Sequence, residues 1–423
     1  MPSATTPEPR PRPLVPRLAP WLPAAAWAYL ALGRGGYWST ATRLPPDAHA
    51  LPENWPPVAV VVPARDEADV LPRALPSLLT QDYPGHAWVV LVDDQSSDGT
   101  APLARALAKK TKGRGLGLSI VEGKPRPPGW AGKPWAMAQG VEHALAGPDK
   151  PQWFLFTDAD IRHPPGSVRQ LLAAALGAGR DCVSLMACLS TATAWERLLM
   201  PAFVYFFAQI YPFGWVNDRD RRTAAAAGGC MLVNAAALQH AGGIDAIANS
   251  TIDDVALAKA LKGAGSAIWL GLAGEGGEGD APRLESLRSY PRLADMWEMV
   301  ARSAYTQLGY SPAALAGTVA ALSSIYLAPP LLAWRGFARG RPAVATAGLS
   351  AWTAMAATYL PMARYYRVSP ASATALPFTA SLYMAMTLDS ARRHRAGAVA
   401  WKGRRLGQSG TGPGRRRATL DGW

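Results

Sequence analysis

The chain has 423 residues, of which 49% are apolar and only 17% charged, and its formal net charge is +13 with a pI near 9.9. This length accommodates one large catalytic domain with additional elements, or two domains. The positive charge lies mainly in the two ends of the chain beside apolar segments, which is typical of contact with anionic lipid headgroups. No nucleic-acid-binding motif accompanies the charge, so nucleic acid is excluded as the expected partner.

The N-terminal segment predicts attachment to a membrane. Residues 1–17 are rich in Pro and Arg and are predicted to be a disordered basic tail. Residues 18–34 contain the apolar run Leu18 to Leu32 with Trp21 and Trp27 interleaved. This run is shorter than the roughly 20 residues that span a bilayer, so it predicts either an anchor or an interfacial helix. A signal peptide is the alternative, but no small-residue cleavage site follows.

Residues 55–300 are predicted to form one α/β catalytic domain. Apolar runs typical of buried strands alternate with segments whose apolar residues have helical spacing. The predicted strands are Val58 to Val62, Trp88 to Val92, Leu118 to Val121 and Trp153 to Phe156, and the predicted helices are Glu67 to Thr80, Pro102 to Lys110 and Ala136 to Leu145. This alternation predicts a mostly parallel sheet with helices on both faces, which binds ligands at the carboxyl ends of its strands.

Two further segments of this domain have a distinctive composition. Trp195 to Trp215 is dense in aromatic residues and predicts a helix in the headgroup region, with a buried core helix as the alternative. Glu275 to Asp280 lies in a Gly-rich acidic loop that is predicted to be mobile.

Residues 310–390 are predicted to be a membrane region of two or three helices. Its apolar stretches are Pro312 to Trp334, Ala343 to Tyr359 and Ala371 to Leu388. Three spans would place the basic tail, 391–423, outside the cytoplasm, against the positive-inside rule. Two spans with one re-entrant or surface segment would keep that tail cytoplasmic, and Pro329–Pro330 is a candidate break.

The strongest chemical signal is Thr157-Asp158-Ala159-Asp160, which follows a predicted buried strand directly. Two carboxylates two residues apart at a strand end can turn toward one cavity, where they offer hard oxygen ligands to Mg²⁺ or Mn²⁺. Such a metal neutralises a pyrophosphate leaving group. Asp158 and Asp160 are therefore the candidate metal ligands.

Four other segments stand at strand or helix ends. A Pro-fixed turn follows the first strand, and an Asp at the end of the second can accept from the imide N–H of uracil. Lys133 precedes a helix and is a candidate phosphate contact. An acidic pair opens another helix, where one carboxylate is a candidate general base. These segments are Val61 to Glu67, Val92 to Thr100, Gly132 to Pro134 and Thr251 to Leu257.

Taken together and in this order, the five segments resemble the family 2 glycosyltransferases over Val58 to Leu270. The resemblance implies an A-type glycosyltransferase fold. It also implies uridine binding by the Pro63-to-Glu67 turn and Asp94, and metal and diphosphate binding by Asp158 and Asp160. The base would be Asp254, with Asp253 where Glu is usual. The implied donor-binding residues are Pro63, Ala64, Arg65, Glu67, Asp94, Lys133 and Asp158.

The wider pattern looks like the hopene-associated glycosyltransferases of hopanoid biosynthesis. The strings that carry this resemblance are Leu198 to Asp218, Ala226 to Val233 and Ala301 to Ser311. It implies a lipid acceptor, with a hopanoid as the candidate. The QxxRW signature of processive relatives is absent, which disfavours polymer synthesis. Arg162 and His163 after the paired carboxylates can approach the diphosphate, with a surface His as the alternative.

The sequence thus predicts a multi-pass enzyme of the bacterial inner membrane with a cytosolic catalytic domain. It would move a sugar from a UDP-sugar to a lipid acceptor by a single inverting displacement with Mg²⁺ or Mn²⁺. The alternatives are transfer to a polyprenyl phosphate, a metal-dependent nucleotidyltransferase and a silent membrane scaffold. The sugar, the lipid and the oligomeric state are left open.

Overall fold

The computed structural model describes residues 18–44, 52–111, 115–274 and 283–396, and the backbone of 400–401 and 404–405. The predictions for residues 1–17 and 275–280, and those for most of 391–423, lie outside these ranges.

The strands confirm an α/β domain with a mostly parallel sheet. In chain order they are β1 Val58–Ala64, β2 Ala87–Asp93, β3 Gly117–Glu122, β4 Trp153–Phe156, β5 Ile161–Arg162, β6 Cys182–Met186, β7 Met231–Asn234, β8 Ile268–Leu272, β9 Glu285–Ser286, β10 Ala400–Trp401 and β11 Arg404–Arg405. The main sheet has the order β3-β2-β1-β4-β7-β6-β8, in which β7 runs antiparallel to both neighbours. The pairs β5–β9 and β10–β11 are separate antiparallel ribbons.

The central strand β1 explains why the first predicted strand is a continuous apolar run. Val58, Val60 and Val61 are fully buried, because helices cover both faces of the sheet. β1 pairs in parallel with β2 and with β4. The three strands therefore end at the same edge, and the loops that follow them meet there.

The helices of the first 307 residues cover the sheet or precede it. They are α1 Leu22–Gly33, α2 Leu71–Leu79, α3 Thr100–Thr111, α4 Gly132–Ala146, α5 Ser167–Gly177, α6 Ala194–Ile210, α7 Phe213–Asn217, α8 Ala235–His240, α9 Asp253–Gly263 and α10 Leu293–Gln307. The C-terminal helices are α11 Pro312–Leu322, a π-helical turn Ser323–Leu327, α12 Ala328–Ala338, α13 Pro342–Tyr365 and α14 Leu376–Arg395.

The aromatic helix α6 is buried between the sheet and the C-terminal helices. Its Tyr205 is fully buried, and the Tyr205 hydroxyl makes hydrogen bonds with the Tyr37 hydroxyl at 3.0 Å and Thr358 Oγ1 at 2.8 Å. Phe206 packs edge-on against Tyr326 and Tyr383. Of the two predictions for this segment, the buried core helix agrees with these contacts.

The C-terminal apolar stretches form helices, but they differ in composition. Within the described ranges, the continuous helix Pro312–Ala338 alone is long and apolar enough to cross a membrane, and 17% of its apolar window is buried. α13 and α14 do not meet that criterion. One candidate span is therefore present among these residues, and the predicted second and third spans are not shown.

The N-terminal helix packs on the C-terminal helices. Trp27 of α1 is fully buried, and its indole Nε1 donates to the Ile325 carbonyl at 2.7 Å, within the π-helical turn. The ring meets Tyr326 edge-on at 5.4 Å. This hydrogen bond joins residues 298 positions apart in the chain. It therefore holds the N-terminal apolar helix against the C-terminal helices.

We predict that Trp27→Ala destabilises the protein by about 3–5 kcal/mol, because it removes a buried ring and a hydrogen bond to a carbonyl. Thermal unfolding of the detergent-solubilised full chain measures the effect. Tyr29→Ala is the matched control, since Tyr29 lies on the same helix and is 57% exposed. Equal melting temperatures for the two variants would contradict the prediction.

Candidate functional site

A cavity of about 580 Å³ lies at the carboxyl edge of β1, β2 and β4. It brings together residues from all five segments that the sequence singled out. The predicted residues that line it are Pro63, Ala64, Arg65, Glu67, Asp94, Lys133, Asp158, Asp160 and Asp253. Asp254 is not among the lining residues.

One wall is made by two interlocked loops, those after β1 and β2. Asp66 has a positive φ of 49°, and its N–H donates to Ser96 Oγ at 2.9 Å. The Glu67 N–H donates to Thr100 Oγ1, also at 2.9 Å. Asp94 is buried beneath this wall, and Arg65 Nη1 donates to its carbonyl at 2.5 Å. These hydrogen bonds fix the two loops relative to each other.

Lys133, at the start of α4, connects two acidic segments. Its Nζ lies 2.7 Å from Asp158 Oδ1 and 3.0 Å from Asp253 Oδ2. Burial disfavours the ammonium charge, but these carboxylates outweigh it and raise the pKa of Lys133. A Cβ at Gly228 would lie 2.9 Å from this Nζ. The glycine therefore leaves the room that the ammonium group occupies.

Arg288 balances the acidic residues on the other side. Its Nε lies 2.8 Å from Asp160 Oδ2, and its Nη2 lies 2.6 Å from Glu67 Oε2. The pairing of β5 with β9 delivers it, since the Leu287 N–H donates to the Asp160 carbonyl at 2.8 Å. No local sequence pattern signals Arg288, because this pairing joins segments more than 120 residues apart.

The paired carboxylates fit a divalent cation. Burial and the neighbouring charges of Asp158 and Glu67 raise the pKa of Asp160, although Arg288 opposes this. Crowded carboxylate oxygens are the donor set that Mg²⁺ and Mn²⁺ take. In the part of the chain that the structure describes, no group of three or more His, Cys, Asp or Glu could hold a metal. The protein would thus supply two ligands, and the donor's oxygens and water the others.

The two carboxylates of the acidic pair that opens α9 have different surroundings. Asp253 is buried and lines the cavity beside Lys133. The Asp254 carboxylate accepts from the Gly228 N–H at 2.8 Å and the Val255 N–H at 2.7 Å. Burial and the charge of Asp253 raise the pKa of Asp254 to about 6. Asp254 is partly exposed and is held at the glycine turn, which also adjoins the Lys133 ammonium group.

His163 lies behind the site and neither lines it nor reaches the surface. Its Nε2 is hydrogen-bonded with Thr157 Oγ1 at 2.9 Å, and its Nδ1 with Ser167 Oγ at 2.9 Å. Thr157 Oγ1 also donates to the Gly229 carbonyl at 2.7 Å. Burial lowers the pKa of His163 to about 3, so the ring is neutral. Both predictions for His163 are wrong: it supports the backbone before the paired carboxylates.

The far wall comes from the chain after β9, which the sequence did not single out as a site. Tyr290 and one face of α10 line the cavity there, and the lining residues of α10 are Asp295, Glu298, Met299 and Arg302. Buried Glu196 holds this segment, since its Oε1 accepts from the Tyr290 N–H at 2.6 Å and Ser289 Oγ at 2.9 Å. The lining residues of α10 are three or four positions apart, and that spacing is the sequence pattern that could have indicated a cavity-facing side of the helix.

The cavity and its paired carboxylates thus lie at the strand ends of a mostly parallel α/β sheet. Residues 59–241, a little under half of the chain, match the family model described as glycosyl transferase family 2. This segment contains the turn after β1, Asp94, Lys133 and both paired carboxylates. The match supports glycosyltransferase activity with a nucleotide-sugar donor.

Three solved structures resemble the chain at low identity. A mannosyltransferase from Pyrobaculum calidifontis, in complex with GDP-Man and Mn²⁺, is 19% identical over 89% of this chain and 99% of its own, with a TM-score of 0.47. TarS 1-349 of S. aureus with UDP-GlcNAc is 15% identical over 80% and 92%, with a TM-score of 0.35. Mannosyl-3-phosphoglycerate synthase from Rubrobacter xylanophilus is 16% identical over 60% and 74%, with a TM-score of 0.34. No curated protein matches the chain.

We predict that His163 makes the protein less stable at acidic pH. Its folded-state pKa of about 3 lies below the unfolded value near 6.5, so its stability contribution is present above 6.5 and is lost as the pH falls toward 3. The slope is about 1.4 kcal/mol per pH unit. Unfolding of His163→Asn between pH 4 and 8 should be less pH-dependent than that of the unchanged chain, whereas the exposed control His240→Asn should keep the slope. Parallel profiles for all three would contradict this assignment.

Proposed function

We propose that the chain is a metal-dependent inverting glycosyltransferase that transfers a sugar from a UDP-sugar to a lipid acceptor at a bacterial inner membrane. One observation carries the proposal: the ends of three parallel strands and two helices meet in one cavity that contains the paired carboxylates. The family match over residues 59–241 supports the activity.

The proposed donor site follows the two walls of the cavity. The turn Pro63 to Glu67 and the carboxylate of Asp94 would hold the nucleobase and ribose, since both lie in the interlocked loops. Lys133 would bind the diphosphate, because its ammonium group already bridges Asp158 and Asp253 and would contribute positive charge where the leaving group develops negative charge.

Asp158 and Asp160 would hold the divalent cation, which stabilises the departing diphosphate when bound. Arg288 lies within ion-pair distance of Asp160 and would contribute a second positive charge on the same side of the cavity. For a hydroxyl acceptor, Asp254 is the proposed base and Asp253 the cavity-facing carboxylate beside it. One base without an enzyme nucleophile gives inversion in a single displacement.

The apolar helices support a membrane-bound acceptor. The helix Pro312–Ala338 begins five residues after α10 ends at Gln307, and α10 forms a cavity wall. Its exposed side chains include Leu331, Trp334 and Phe337. An acceptor bound at the membrane surface would reach the cavity without leaving the bilayer. A hydroxyl-bearing lipid such as a hopanoid and a polyprenyl phosphate are both candidates.

We predict that Asp158→Asn and Asp160→Asn each lower turnover at least a hundredfold, because each removes a ligand of the cation that stabilises the leaving group. The measurement is UDP release by the full chain in bacterial lipid extract with Mn²⁺, over a panel of UDP-sugars. Asp82→Asn is the control, since Asp82 forms a surface ion pair with Arg169. Near-normal turnover in either site variant would overturn the metal assignment.

We predict that kcat/KM falls about tenfold per pH unit below pH 6. The pKa of Asp254 is raised to about 6, so the base is ionised above this pH and protonated below it. Asp254→Asn should lose activity and the acidic limb together, whereas the exposed control Asp245→Asn should keep both. Full activity of Asp254→Asn would assign the reaction to an acceptor that needs no base, such as a polyprenyl phosphate.

The same assay distinguishes a glycosyltransferase from the two other classes of protein considered. A nucleotidyltransferase would release pyrophosphate instead of UDP, and a silent scaffold would release neither. Mass spectrometry of the lipids then reports a mass increase of one sugar unit. UDP release without a heavier lipid would support the glycosyltransferase activity but contradict the proposed lipid acceptor.

A further inference from the structure

Arg302 is a cavity-lining cation that the proposed donor site does not use. It lies on α10, half-buried, with Met299 one turn before it on the same cavity-facing side. The cations of the donor side have acidic partners: Lys133 pairs with Asp158 and Asp253, and Arg288 with Asp160 and Glu67. For Arg302, no side chain among the residues that the structure describes lies within ion-pair distance.

Glu298, the residue best placed on the helix to pair with Arg302, pairs with another arginine. Glu298 precedes Arg302 by four residues, the spacing at which opposite charges pair on a helix. Glu298 instead pairs with Arg393 of α14. Asp295, one turn earlier, pairs with Arg292 at 2.8 Å. Both acidic residues of this wall thus pair with arginines that do not line the cavity, whereas Arg302 is the cation of α10 that lines it.

The end of α10 has the composition of a membrane surface. Tyr310 is 43% exposed, stacks on His394 at 4.3 Å and stands two residues before the candidate span. Arg392, Arg393 and Arg395 lie beside it at the end of α14. Tyrosine and basic residues next to an apolar helix are typical of the headgroup level, where they attract anionic lipids.

The distance from this level to Arg302 is short. Gln307 follows Arg302 by five residues on the helix, and Pro312 follows Gln307 by five residues. At 1.5 Å per helical residue and at most about 3.4 Å per extended residue, the chain between Arg302 and the span covers no more than about 25 Å. A lipid headgroup can therefore reach Arg302 while its tail stays beside Pro312–Ala338.

We propose that the acceptor is a phosphate-bearing lipid and that Arg302 binds its phosphate. This inference rests on the proposed function and names the acceptor class for the same cavity. Guanidinium groups bind phosphate through paired, charge-assisted hydrogen bonds, which fixes the headgroup in one orientation beside the donor. Met299 and Tyr290 give the same wall an apolar surface for the adjoining part of the lipid.

The test compares acceptors in micelles of a phosphate-free non-ionic detergent that contain the full chain. Phosphatidylglycerol and a polyprenyl monophosphate carry a phosphate, whereas diacylglycerol and a polyhydroxylated hopanoid carry hydroxyls alone. Glycerol phosphate tests a free phosphate without a lipid. Sugar transfer to at least one phosphate-bearing lipid, and none to the neutral lipids, is the expected result. Equal turnover with a neutral lipid, or with glycerol phosphate, would overturn the proposal.

Arg302→Gln should raise KM for the accepted lipid roughly ten- to hundredfold, with UDP affinity unchanged, and Arg302→Lys should restore part of the loss. Arg105→Gln is the matched control, since Arg105 pairs with Glu122 at the surface. Weaker UDP binding by Arg302→Gln would assign Arg302 to the donor and overturn the proposal, as would an unchanged KM for the lipid. Absence of UDP release with every donor and acceptor would instead reject the glycosyltransferase function itself.

Discussion

The organisation of this protein depends on holding several carboxylates close together at one edge of a sheet. Parallel strands end on the same side, so β1, β2 and β4 deliver acidic residues to one place. Like charges at such distances repel one another, and burial increases the cost. Lys133 and Arg288 offset this repulsion from two sides, each bridging two carboxylates. The same arrangement that makes the edge costly to fold provides the charges on which the proposed cation and donor sites rest.

Much of the donor side could be predicted from the sequence because it is local. A buried β-branched run followed by a polar turn identifies both the strand and its functional end, as at Val58 to Ala64 and at Trp153 to Asp160. Asp94 and Lys133 were found in the same way, beside a strand end and a helix start. In each case the residues that form the element and those that carry the chemistry are neighbours in the chain, so periodicity and motif agree.

The rest could not be predicted because it depends on contacts between distant segments. Arg288 reaches Asp160 through a ribbon that pairs residues 161–162 with residues 285–286. His163 was expected at the surface or at the diphosphate, but the fold buries it under Thr157 and Ser167. The apolar composition of α6 was compatible with both a headgroup and a core position, and only the packing of Tyr205 against Thr358 distinguishes them. Apolar composition also predicted two or three spans, of which the described helices provide one candidate.

The contact between α1 and the C-terminal helices has a consequence for synthesis of the chain. α1 is synthesised before the α/β domain, whereas its partners Ile325, Tyr326 and α13 are synthesised after that domain. Contacts of such long sequence separation form late, since the whole intervening domain must be closed into a loop. An apolar helix of 12 residues therefore stays without its protein partner through most of translation. Its apolar residues, Trp27 among them, are covered by protein only after the C-terminal helices have been made.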